Sequence, residues 1–191
     1  MSDLKQFAKD NHVPIIQDGG LDFLLKTIKK INAKDILELG SAIGYSAISM
    51  ARLSDDIHID TIERDQKMYE EAFKNVKDAA LNDQITLNFM DIRDYVPSKK
   101  YDLIFVDAAK GQYYNYLNQF IDYLKEDGVM FFDNMVFHGL TKDPDAIKNR
   151  NTRSLVKKIN KFKELVKEDS RFDIILYEDI GDGILILTRR K

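Results

Sequence analysis

No cysteine occurs in the 191 residues. That absence excludes disulfides, thiolate metal sites and a cysteine nucleophile, and it fits a cytoplasmic protein. No apolar run approaches the roughly 20 residues of a transmembrane helix, so no membrane association is expected. The N-terminal stretch MSDLKQFAKDNHVP is polar and lacks the apolar centre of a signal peptide. Net charge is only −3, which gives no global signal for nucleic acid. Histidine is scarce: His138 lies just past a candidate site, and His12 and His58 carry no expected role. Internal repeats and low-complexity linkers are also missing.

What is present reads as one globular domain. An apolar fraction of 44% and a charged fraction of 32% are ordinary for such a chain, with some excess of charge. Apolar runs of strand length appear at Asp35–Leu39, Ile57–Ile62, Ile85–Met90, Tyr101–Val106, Val129–Phe132, Phe172–Tyr177 and Ile184–Thr188. Helical periods lie between the first five. Leu21, Leu24, Leu25, Ile28 and Ile31 form one, Ala47, Met50 and Ala51 another, and Tyr113, Tyr116, Leu117, Phe120 and Leu124 a third. Strand–helix alternation predicts a parallel sheet with helices on both faces. The last two strands are joined by Glu178–Gly183, too short for a helical crossover, so they must pair antiparallel. The expected fold is therefore α/β and doubly wound, with one reversed strand. Residues 1–18 are expected to form an N-terminal arm or lid, and 141–151 a polar surface loop.

Two strand ends carry the strongest chemical signal. YDLIFVD stops at Asp107, and GVMFFDN stops at Asp133 and Asn134. In an open parallel sheet such ends line the ligand crevice. Two carboxylates and an amide carbonyl are hard oxygen ligands suited to a divalent cation. Two bare carboxylates facing each other in a partly buried cleft would cost free energy unless a proton or cation intervenes. Lys110, three residues past Asp107, is either that cation or a catalytic base. A free lysine titrates near 10.4, so a base working near pH 7 needs a shift of about three units, or about 4 kcal/mol.

A second cluster points to a nucleoside. Glu38-Leu39-Gly40-Ser41-Ala42-Ile43-Gly44-Tyr45-Ser46 follows a strand and opens a helix, and Gly40 permits a tight turn. Ala42 breaks the G-x-G-x-x-G spacing, which counts against a nicotinamide cofactor and hydride transfer. Glu63 ends the second strand, where an acidic residue accepts from ribose hydroxyls. Asp91 ends the third, either beside a cofactor base or as the cap of a loop.

At these residues the chain resembles the metal-dependent O-methyltransferases related to the catechol and caffeoyl-CoA enzymes. ELGSAIGYSA, TIERD, FVDAAKGQYYNY, FFDNM and GDGILILTRR carry the resemblance, which runs from about His12 to the C-terminus. It implies a Rossmann-like sheet of seven strands with the last reversed, S-adenosylmethionine as methyl donor, Mg²⁺ as the metal and a homodimer. It also implies that Asp107, Asp133 and Asn134 ligate the metal and that Lys110 is the base, with Asp107 serving both metal and cofactor. Cofactor contacts would come from Ile16, Glu38, Gly40, Tyr45, Ser46, Glu63 and Asp91.

The acceptor is suggested by local charge. From Ala146 to Lys163, seven lysines and arginines occur with no acid. Lys148, Arg150, Arg153 and Lys157 are candidate RNA contacts, set against the plain reading of an amphipathic helix whose Leu155, Val156, Ile159, Phe162 and Val166 pack inward. RNTRSLVKKINKF also resembles the bacterial branch that methylates 5-hydroxyuridine at the tRNA wobble position to 5-methoxyuridine. An anticodon-loop base can be splayed into a pocket. The alternative substrate is a small catechol or phenol. A non-catalytic nucleotide- or RNA-binding module is the reading from another class, and the metal triad argues against it.

Overall fold

The computed structural model describes residues 1–190, leaving aside the side chain of Ser2. Its elements run α1 (Ser2–Asp10), α2 (Asp18–Ile31), β1 (Asp35–Leu39), α3 (Tyr45–Ala51), β2 (His58–Glu63), α4 (Gln66–Asp78), β3 (Ile85–Phe89) and β4 (Tyr101–Val106). There follow α5 (Tyr113–Phe120), β5 (Leu124–Phe132), α6 (Arg150–Glu168), β6 (Phe172–Tyr177) and β7 (Ile184–Arg189).

The seven strands form one sheet in the order β3-β2-β1-β4-β5-β7-β6. The pairs β1–β2, β1–β4, β2–β3 and β4–β5 are parallel, and β7 runs antiparallel to both β5 and β6. This is the doubly wound sheet with a reversed last strand that the alternation predicts. β7 lies inside the sheet and β6 forms its edge. Burial explains the choice: Ile184, Leu185 and Leu187 of β7 are buried, whereas Ile175 and Leu176 of β6 stay exposed.

Successive side chains of a strand point to opposite faces. Ile36, Leu103, Phe105 and Phe131 join a core with α2, α3 and α4. Leu37, Leu39, Ile104, Val106, Met130 and Phe132 join a second core with α5 and α6. Burial on both faces leaves the strand ends as the place for a polar ligand.

Two boundaries differ from the sequence expectation. Leu124 is not the last residue of a helical stripe; it opens β5 and pairs with Tyr101. The strand includes Glu126-Asp127-Gly128, whose composition opposes a strand, because pairing with β4 recruits it. The 141–151 stretch is not all loop. Leu140–Lys142 and Pro144–Ala146 are single 3-10 turns, and α6 begins at Arg150. Asn149 caps α6, its Oδ1 accepting from the Thr152 amide at 3.0 Å, and so starts the helix earlier than the apolar stripe indicates. At the other end of the chain α1 puts Ala8 into the first core, and Val13–Gln17 lead from it to α2 beside the cleft.

Candidate active site

A cleft of about 610 Å³ opens at the carboxyl ends of β1, β2, β4 and β5. Ile16, Gly40, Tyr45, Ser46, Glu63, Asp91, Asp107, Lys110, Asp133 and Asn134 all line it. The crossovers that wind the chain in opposite directions from β1 and β4 create this crevice.

One side is built on the β1–α3 turn. Gly40 has φ 99°, and a β-carbon there would sit 2.5 Å from the Asp107 carbonyl oxygen. The amides of Gly40 and Ser41 both donate to the Ile62 carbonyl at 3.1 Å. Glu63 closes the turn from β2. Its Oε2 accepts from the Ala42 amide at 2.9 Å, and its Oε1 accepts from the Arg64 and Asp65 amides at 2.8 Å. Ser41, which the sequence reading passed over, lines the cleft with a buried hydroxyl that has no partner among the described residues. An unmet buried hydroxyl in a cleft wall suits a polar ligand.

Glu38 differs from its expected role. It is fully buried behind the cleft wall and does not line it. Its carboxyl accepts hydrogen bonds from Ser46 Oγ and, at 2.5 Å, from Thr61 Oγ1. Burial pushes its pKa up to about 7 against the pull of those two bonds. The glutamate faces inward because alternation along β1 puts it on the α2–α3 side with Ile36. Asp91 is the cap of a loop, the second of its two sequence readings, and it also faces the cleft. It caps the turn after β3 by accepting from the Arg93 amide at 2.9 Å. The Arg93 guanidinium holds its carboxyl well below the usual range, with Arg64 3.4 Å away.

The other side gathers the acidic residues. Asp107 follows β4 and lies 3.7 Å from the Lys110 ammonium. Asp133 follows β5 and is 1% exposed. Burial pushes the Asp133 carboxyl up to about 7, and the charge of Asp107 adds to this. Burial likewise raises Asp107, while Lys110 opposes it. The pair is therefore short of positive charge. Among the described residues no three His, Asp or Glu side chains converge on one point. A divalent cation here would take its remaining oxygens from Asn134 and water. Hard oxygen donors with a charge deficit fit Mg²⁺ chemistry.

Four residues without a role in the sequence reading hold the Asp133–His138 segment. Tyr113 Oη donates to the Asp133 carbonyl at 2.8 Å, and Lys163 Nζ donates to the Met135 carbonyl at 3.3 Å. Asp182 accepts from Asn134 Nδ2 at 3.3 Å and from the His138 amide at 2.6 Å. Gly183 accepts from the Met135 amide at 2.9 Å. In the sequence, GDG after a strand was their one visible trace.

The basic residues lie elsewhere. Arg150, Arg153 and Lys157 line a separate shallow groove of about 520 Å³ on α6, with Lys158 and Lys161. Lys148 is not among its lining residues. Lys157 pairs with Asp145 at 2.7 Å. Lys163 turns inward to Met135, and burial lowers its pKa. The stripe of Val156, Ile159, Phe162 and Val166 is buried as expected.

This arrangement of strand-end acids beside a glycine turn on a reversed-strand Rossmann-like sheet defines a class I methyltransferase fold. The chain belongs to the O-methyltransferase family, whose family model matches residues 1–191. It is 32% identical to the caffeoyl-CoA O-methyltransferase of Populus kitakamiensis over 178 residues, 87% of this chain and 74% of that protein. Against the Medicago sativa enzyme of the same name it is 32% identical over 179 residues, 88% and 72% of the two chains. A Staphylococcus aureus protein provisionally described as a caffeoyl-CoA O-methyltransferase superposes with a TM-score of 0.95 at 34% identity, covering 99% of this chain and 91% of that one. The Podospora anserina methyltransferase PaMTH1, solved with S-adenosylhomocysteine bound, matches with a TM-score of 0.81 at 27% identity over 90% and 78% of the two chains. The protein is thus a methyltransferase. Among its described residues no helix is long and apolar enough to cross a membrane.

Proposed function

We propose that the protein transfers a methyl group from S-adenosylmethionine to 5-hydroxyuridine at the tRNA wobble position, giving 5-methoxyuridine in a Mg²⁺-dependent reaction. In this reading the Gly40 turn, Ile16, Tyr45, Ser46, Glu63 and Asp91 bind the methyl donor. Ser41, with its unmet hydroxyl, is added to that set. Glu38 acts from behind, holding Ser46.

Asp107, Asp133 and Asn134 hold the cation. When bound there, Mg²⁺ supplies a fixed positive charge that lowers the pKa of an acceptor hydroxyl and orients it. In the transfer, a bond forms from the hydroxyl oxygen to the methyl carbon as the carbon–sulfur bond breaks in line. The hydroxyl proton passes to Lys110, which must first be in its neutral amine form to accept it; its nitrogen lies 3.7 Å from Asp107 in the cleft wall. The cleft walls fix donor and acceptor at attack distance, and no covalent intermediate is needed.

One observation supports RNA as the substrate. α6 packs its basic face onto the turn that carries Lys110: a β-carbon at Gly111 would lie 3.3 Å from Lys158 Cδ. Lys158, which lines the separate α6 groove, therefore packs against the turn that carries Lys110. Arg153 Nε is buried without a partner among the described residues, and a phosphate would satisfy it. Location in the cytoplasm and a homodimer belong to the same reading. A small phenolic acceptor is the second reading, favoured by the caffeoyl-CoA relatives.

Mass spectrometry of tRNA nucleosides from cells lacking the gene tests this directly. Loss of 5-methoxyuridine with accumulation of 5-hydroxyuridine is expected. Unchanged methoxyuridine, with methylation of caffeoyl-type phenols by the purified protein, would move the assignment to the second reading.

A further inference from the structure

We propose that Asp182 is a positioning residue whose carboxylate decides which end of the Asn134 amide faces the cleft. The inference rests on the reading of Asp107, Asp133 and Asn134 as a cation site. An asparagine amide has an oxygen end and an NH₂ end of nearly the same shape, so its orientation is set by hydrogen-bond partners. A carboxylate accepts and does not donate. Asp182 is 5% exposed and stands 3.3 Å from the Asn134 amide nitrogen. With the NH₂ end held there, Oδ1 is the end left for the cleft. Turned over, the amide would aim its NH₂ at Asp107 and Asp133 and oppose a cation.

Asp182 is itself held in place. Its other oxygen accepts from the His138 amide at 2.6 Å, and its carbonyl accepts from the Val136 amide at 2.8 Å. Gly183 lets the hairpin loop press this close: at φ 82°, a β-carbon would sit 2.7 Å from the Val136 nitrogen. Asn134 has φ 61°, in the left-handed region that asparagine tolerates better than most residues. The β6–β7 hairpin, far away in sequence, thus completes the site at the end of β5.

Binding of Mn²⁺ followed by electron paramagnetic resonance tests this without any turnover. Asp182→Asn can donate as well as accept, and so frees the Asn134 amide to invert. Its Mn²⁺ Kd is expected to rise about tenfold or more, the usual scale for a partner that orients a ligand. Removing the Asp182 charge alone would also weaken binding, and a double-mutant cycle separates the two causes. Position 134 as aspartate has oxygen at both ends. In an Asn134→Asp background only the charge effect remains, so Asp182→Asn is expected to raise the Kd by several-fold less than it does with Asn134 present, because orientation no longer matters. Equal losses in both backgrounds would reduce Asp182 to a charge and overturn the proposal. As an independent reading, ¹⁵N spectra should show the Asn134 side-chain amide protons slow to exchange in the parent and fast in Asp182→Asn; unchanged exchange also overturns it. A parent protein that bound no Mn²⁺ would remove the cation site and this inference together. A parent that binds, with Asp182→Asn binding equally, would remove this inference alone.

Discussion

The space where Gly40 would carry a side chain is filled by the Asp107 carbonyl oxygen, 2.5 Å from the position of a β-carbon. The turn proposed to bind the methyl donor and the strand end proposed to bind the cation are therefore in direct backbone contact. The Asp107 amide also donates to the Leu39 carbonyl at 3.1 Å. Neither can shift without the other.

Gly40→Ala is expected to disturb both sides of the cleft. Its φ of 99° already disfavours alanine, and the clash is with backbone, which cannot swing aside. A stability loss of about 2–3 kcal/mol is expected in denaturant unfolding. Calorimetry should show weaker S-adenosylhomocysteine binding. Gly139→Ala is the control, because at φ 80° nothing lies within 4 Å. It should cost about 1 kcal/mol and leave that affinity unchanged.

Asp133→Asn is expected to move stability and activity in opposite directions. The substitution removes a buried charge beside Asp107 while its remaining oxygen can still accept from the Asn134 amide, now at 2.7 Å. The metal-free protein should gain about 1 kcal/mol in thermal or urea unfolding at pH 8. Mn²⁺ affinity and methyl transfer should fall by about 100-fold or more. Chelation of the parent should abolish turnover, with recovery on adding Mg²⁺. Full activity in Asp133→Asn would remove the cation from the mechanism.

Glu38 should leave a signature in the pH dependence of stability. Its folded pKa is raised from 4.5 to about 7, so between those values the folded state holds a proton that the unfolded state has lost. The unfolding free energy then decreases with rising pH across that window and levels above it. Glu38→Gln should flatten the curve, so that the variant gains on the parent by about 2–3 kcal/mol between pH 4.5 and 7.5. Parallel curves for the two proteins would show that Glu38 titrates normally.

Lys163 and Arg153 should behave as different kinds of basic residue. Lys163 is half-buried and donates to the Met135 carbonyl beneath the site. Lys163→Met is expected to lower stability by about 1–2 kcal/mol and to reduce activity, with the salt dependence of tRNA binding unchanged. Arg150→Ala with Arg153→Ala should leave stability alone and reduce the salt slope by about one to two units in filter binding. An unchanged slope in the arginine variant would detach RNA from the α6 groove.

Much of the fold was legible because both sheet faces are buried. Such strands read as short apolar runs, and five of the seven begin at the residue where the sequence run begins and end within a residue of where it ends. The failures have local causes. Leu124 carries the helical spacing of α5 into β5, and spacing alone does not mark where a period stops. Glu38 sits in a cofactor-like motif yet faces the core, because a strand's alternation overrides its place in a motif. Lys163 belongs to a run of positive charge but points the other way from its neighbours around α6.

By itself the sequence determined the sheet, the reversed strand and the acids at the ends of β4 and β5, since these follow from short-range patterns of polarity. Only the tertiary structure decided that β7 enters the sheet between β5 and β6, and that its hairpin brings Asp182 against Asn134. It also decided that the basic face of α6 rests on the Lys110 turn. Contacts of this kind join residues 48 positions apart, and they depend on how whole elements pack. No local pattern encodes that packing, because its free energy is spread over the two cores that bring those elements together.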